Sequence, residues 1–96
     1  MNKSESIINN LLIEVDALSY RITNIHQTFS STSHVGLRER LFYENINISQ
    51  RLDEILSIAK ALKNRNNEHI SFSSLLVEKC ERAIAKKRIE NNLFFL

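Results

Sequence analysis

The sequence predicts an all-α protein, an antiparallel hairpin of two long helices plus a shorter third helix, forming a helical bundle that a second copy of the chain completes. Three observations carry that expectation. One stretch repeats apolar residues at alternating spacings of three and four, a second stretch resumes the same period after a short polar break, and the whole chain holds one glycine and no proline. Average usage of those two residues is about 7% and 5%. Sheets recruit them for their many turns, whereas long helices need few turns.

The first helix is expected over about 3–30. Ile8, Leu11, Val15, Leu18, Ile22, Ile25 and Phe29 follow one another at steps of 3, 4, 3, 4, 3 and 4. This is a heptad seam, since a strand would alternate every second residue. Ile7, Leu12 and Ile13 widen the apolar surface near its start, and Asn2 followed by Glu5 suits a capping arrangement. Residues 30–36, Ser-Ser-Thr-Ser-His-Val-Gly, offer small hydroxyl side chains that compete for backbone hydrogen bonds, and they read as a connection.

A second helix is expected over about 36–64, through Leu41, Ile48, Leu52, Ile55, Ala59 and Leu62, with one weak turn where Glu44, Asn45 and Asn47 crowd the stripe. Two helices of similar length joined by a short loop favour an antiparallel hairpin. After a polar stretch from Asn64 to His69, the third helix is expected over about 72–91. Ser71 or Ser73 serves as its N-cap, and either Ile70 with Leu75 or Phe72 with Val77 forms a hydrophobic staple. Its inner face, Leu76, Cys80, Ala83 and Ile84, is narrow, and an apolar tail, Leu93, Phe94, Phe95 and Leu96, follows. The 96 residues make one domain.

Composition limits function more than it identifies it. With 43% hydrophobic and 25% charged residues the chain is globular in character. A net charge of +2 neither compels nor excludes a polyanionic partner. Cys80 is the single cysteine, so no intrachain disulfide can form. No stretch reaches signal-peptide or transmembrane length, which makes cytoplasmic location, without membrane association, the expectation.

No family motif matches these residues, and no cofactor, metal or small-molecule substrate is expected. His26, His34 and His69 lie apart and lack the local pairing of zinc ligands. Cys80, on an inner helix face, reads as a small apolar residue. The stretch from Leu12 to Ile22 is similar to the opening helix of the small intertwined chorismate mutases in amphipathicity alone. A dicarboxylate substrate needs several converging cations, and this helix offers only Lys3 and Arg21. The chain is not expected to be an enzyme.

Two surfaces remain. The seam of Ile8, Leu11, Val15, Leu18, Ile22, Ile25 and Phe29 is expected to mediate self-association or partner binding. Ile8, Val15 and Ile22 at one seam position with Leu11 and Leu18 at the other favour two-stranded packing, and a monomer is expected to leave this strip open. Leu93, Phe94, Phe95 and Leu96 form a second surface, either plugging the end of the bundle or hooking another chain, because chain ends are normally polar unless docked. The expected function is a small adaptor, accessory or inhibitor module that binds another protein through apolar helix faces. The alternative is a DNA- or RNA-binding regulator using Lys79, Arg82, Lys86, Lys87 and Arg88 on phosphates, the same residues also suiting an acidic protein partner, although the interspersed Glu78, Glu81 and Glu90 favour a solvated face.

Overall fold

The computed structural model describes residues 3–65 and 70–94, with side chains described over 6–64 and 72–86. Three helices account for these residues: α1 (Lys3–Ser31), α2 (Val35–Arg65) and α3 (Ile70–Phe94). No strand occurs among the described residues. The capping pair that begins at Asn2 and the histidine at position 69 lie outside them.

Ion pairs along the flanks record how the helices run. Arg21 pairs with Glu44, and Arg51 pairs with Glu14 at 2.5 Å, so α2 runs antiparallel to α1. Lys79 reaches Asp16 and Lys86 reaches Thr23, both across a sequence separation of 63, so α3 runs parallel to α1. The result is an up-down-up bundle of three helices. It measures 50 × 21 × 15 Å with a radius of gyration of 15.3 Å. A compact domain of this length averages about 13 Å. The molecule is therefore a rod, and each helix keeps an outer face in water.

The seam of α1 faces inward. Ile8, Leu11, Val15, Ile22 and Ile25 are buried within the single chain, against Leu41, Ile48, Leu52, Ile55 and Ala59 of α2 and Leu76, Cys80 and Ala83 of α3. Leu18 and Phe29 are partly buried against the same cluster. This corrects the expectation of an open strip. The weak turn of α2 and the narrow face of α3 both cover α1 more fully than their sequences suggest. Glu44 lies at the flank, where Arg21 Nη2 donates to it at 2.8 Å, while Asn45 takes the core position and is itself buried. The narrow face of α3, Ser73, Cys80 and Ala83, is almost wholly buried, because small side chains let helices approach closely. Of the residues thought to widen the α1 surface, only Leu12 packs on the core, while Ile7 and Ile13 are exposed.

Helix ends differ from expectation in two places. The first connection is three residues, Thr32 to His34, rather than seven. Ser71 and Ser73 lie within α3, which begins at Ile70, so neither caps it, and Ser73 Oγ is buried without a hydrogen-bond partner.

Candidate functional site

The tip of the α1–α2 hairpin is held by more specific contacts than a three-residue connection requires. His34 caps α2: its Nδ1 accepts the Leu37 N–H at 3.0 Å and its carbonyl accepts the Arg38 N–H at 3.0 Å. A histidine acceptor here does the work usually given to Ser, Thr, Asp or Asn, and no sequence signal distinguishes it. Thr32 Oγ1 accepts the His34 N–H at 3.2 Å.

Arg38, one turn into α2, reaches back across the connection. Its Nη1 donates to the carbonyls of Phe29 and Thr32 at 3.3 and 3.1 Å, satisfying acceptors at the end of α1. The guanidinium carbon sits 3.9 Å from the Phe29 ring centroid, a cation–π stack. A single side chain thus locks the last turn of α1 to the first turns of α2.

Beside this clamp lies an open concavity of ≈ 360 Å³ lined by Phe29, Val35, Arg38, Glu39, Phe42 and Tyr43. Phe42 and Tyr43 meet edge to face, with ring centroids 5.9 Å apart. Val35 is 76% exposed and Tyr43 is 58% exposed. Apolar surface that is concave, aromatic and pre-ordered is what recognition sites use. Ile13 and Tyr20, seven residues apart on the outer face of α1, are a further exposed apolar pair. They stand on a convex helix surface, which offers a partner side chain less contact than a concavity.

The structure places the basic residues differently from a phosphate-binding patch. Lys79 Nζ is held by both Asp16 carboxylate oxygens at 2.9 and 3.0 Å. Arg82 pairs with Glu78 one turn earlier. Lys86 Nζ donates to Thr23 Oγ1 and, at 3.5 Å, to the Ser19 carbonyl. Each described cation of the patch therefore has an internal partner, and Asp16 adds negative charge to the groove they line with Ser19. The side chains of Lys87 and Arg88 lie outside the described residues. So do those of Leu93 and Phe94, together with Phe95 and Leu96 entirely.

The remaining titratable groups serve the scaffold. The Arg51 guanidinium holds the Glu14 carboxyl below the usual carboxylate range, and Arg21 does the same to Glu44. Burial, with Glu81 nearby, pushes the Cys80 thiol up to about 11, which opposes thiolate chemistry at neutral pH. Among the described residues no group of three or more His, Cys, Asp or Glu can hold a metal ion. No described helix is long and apolar enough to cross a membrane. No protein-family model matches the chain, and neither a curated protein nor a solved structure matches it. The site must therefore be read from its geometry.

Proposed function

We propose that this chain is a small helical protein-interaction module whose binding surface is the apolar concavity at the α1–α2 tip. The observation that carries the reading is the combination of exposed apolar side chains, Val35 and Tyr43, with a backbone tied down by His34 and Arg38. A rigid apolar site loses little conformational entropy on binding, which is how a small surface gains useful affinity. The size and lining suit one or two apolar side chains from an amphipathic helix of another protein. The internal engagement of Lys79, Arg82 and Lys86 supports this reading over nucleic-acid binding, because releasing each cation to a phosphate forfeits an existing partner.

The test is photocrosslinking in the native host, with p-benzoylphenylalanine replacing Val35 or Tyr43, and Lys60 as an exposed control. The expected result is one discrete adduct with another protein from both tip positions and none from position 60. That adduct should disappear when Phe42→Asp is added, provided circular dichroism shows the helices intact. Identical adduct patterns from all three positions would refute the assignment. A salt-sensitive shift of mixed-sequence duplex DNA at sub-micromolar protein would favour the basic face of α3 in its place.

A further inference from the structure

We propose that the outer face of α1 is a self-association surface, on which a second copy of this chain packs antiparallel about a two-fold axis beside Ala17. This face is distinct from the tip concavity and lies opposite the buried seam. Asn10, Ile13, Ala17, Tyr20 and Asn24 follow one another at steps of 3, 4, 3 and 4, the spacing that keeps residues on one side of a helix. None of the five is charged. Ile13 is 68% and Tyr20 69% exposed, with Asn10 and Ala17 exposed beside them. The other two helices differ, since exposed Arg40 and Glu54 stand on the outward stripe of α2, and exposed Glu78 and Arg82 on that of α3. The outer face of a surface helix is ordinarily charged or polar, so an uncharged stripe with an apolar centre sets α1 apart.

Order along the stripe says what covers it. Read outward from Ala17, it runs large apolar then amide in both directions: Ile13 and Asn10 one way, Tyr20 and Asn24 the other. A two-fold axis beside Ala17 and perpendicular to the helix reverses one copy against the other. Each Ile13 then meets Tyr20 of the second copy, each Asn10 meets Asn24 of the second copy, and the two Ala17 methyl groups face one another. A small residue at the centre lets the helix axes approach closely, so that the flanking Ile and Tyr side chains pack. A closed two-fold contact requires a surface complementary to itself in this way.

Charge selects the direction. Glu14 and Arg21 lie on one flank of the stripe, held by Arg51 and Glu44, and their side chains remain partly exposed. Antiparallel packing brings Glu14 within one residue of the level of Arg21 in the second copy, twice by symmetry. Parallel packing in register would instead set acid on acid and base on base, which opposes association. On the other flank each Asp16 already carries Lys79, so the two copies place ion pair beside ion pair there.

The apolar centre from Ile13 to Tyr20 spans about 10 Å at 1.5 Å per residue. Contacts this small stand at the low end of specific interfaces, which gives a reversible dimer with a Kd of order 100 µM.

The experiment is sedimentation velocity on the full chain from micromolar to millimolar protein. The wild type should show a monomer–dimer equilibrium. Ile13→Asp and Tyr20→Asp should each weaken it at least about a hundredfold, because symmetry places two carboxylates in one apolar contact. Ser57→Asp, on the outer face of α2, should leave the equilibrium as it is. A wild type that stays monomeric at millimolar protein overturns the proposal, as does a dimer that the α1 variants leave intact or that Ser57→Asp weakens equally. Should the α1 variants lose helicity, NMR spectra of the wild type decide. The Ile13 methyl and Tyr20 ring signals should move with protein concentration while those of buried Leu76 stay fixed, and static Ile13 and Tyr20 signals overturn the face. Direction is read from chains carrying Asn10→Cys or Asn24→Cys, each with Cys80→Ala, mixed equally in a glutathione redox buffer. The mixed disulfide between positions 10 and 24 should form in large excess over either disulfide between like chains, and a statistical or like-chain product overturns the antiparallel arrangement.

Discussion

Replacing Ser73 by alanine should make the protein more stable, and the size of the gain follows from the surroundings of one atom. Ser73 is wholly buried, and its Oγ has no hydrogen-bond partner. A buried hydroxyl left unsatisfied costs about 1–3 kcal/mol in lost hydration. Alanine is also the better helix former, by about 0.5 kcal/mol. Against these gains stands the void left by one oxygen. At about 24 cal/mol per Å³, a space of some 15 Å³ costs about 0.4 kcal/mol. The net expectation is a stabilisation of about 1–3 kcal/mol. For a domain of this size that raises the melting temperature by roughly 5–15 °C, measured by circular dichroism. Ser73→Val in the same assay separates polarity from volume, because added methyl groups between closely approaching helices should cost about 1–3 kcal/mol. A neutral or destabilising alanine would refute the reasoning and show that the hydroxyl is bonded in solution.

Three further outcomes follow from the packing and the caps. Val15→Asp buries an unpaired carboxylate at a fully covered core position, so it should abolish the cooperative helical transition; a helical, folded variant that merely changes mass in light scattering would return the seam to an intermolecular role. His34→Ala should cost about 1 kcal/mol through the lost cap to Leu37, with His34→Asn restoring most of it, and equal melting temperatures for all three proteins would dismiss the cap. Glu14 and Glu44 have folded pKa values held below their unfolded ones by Arg51 and Arg21, so the stability they add is present above the ordinary carboxylate pKa and lost as pH falls through the folded values. Both pairs are more than a third exposed on at least one side, so each should contribute no more than about 1 kcal/mol, and Glu14→Gln should flatten the acid limb of a stability–pH curve measured by urea unfolding.

The sequence made the helices legible because periodicity is a local signal. The α1 seam could be read over 22 residues as an apolar face that some partner must cover. Coverage of that seam is a different kind of fact. Asn45 interrupts the hydrophobic stripe of α2 yet fills a core position, and Ser73, Cys80 and Ala83 look like a weak apolar face yet are almost wholly buried. A hydrophobicity pattern scores such residues low for the property that makes them useful. The basic face of α3 illustrates a second limit: charge is visible in the sequence, but Asp16 and Thr23, which engage Lys79 and Lys86, lie 63 residues away. The tip was legible only in part. Phe29 reads as seam and Val35 as loop, and the aromatic pair Phe42 and Tyr43 off the stripe was the one signal that could have drawn attention to it.

The register of α3 links these observations, since the pairing of Lys79 with Asp16 and of Lys86 with Thr23 depends on how α3 is set along the rod. Exposed ion pairs contribute little to that setting, because Asp16 is largely in water and its pairing with Lys79 is worth at most a fraction of a kcal/mol. The core specifies it more strongly. The large Leu76 stands between the small Ser73 and the small Cys80 and Ala83, all at the buried face. A slip of one turn would carry Leu76 into the space that accepts Cys80 and leave a void where Leu76 had been. Overpacking and cavity formation then add, at about 1–3 and 2–5 kcal/mol respectively, a sum comparable to the stability of a small domain. One large residue set among small ones therefore fixes α3 in a single register.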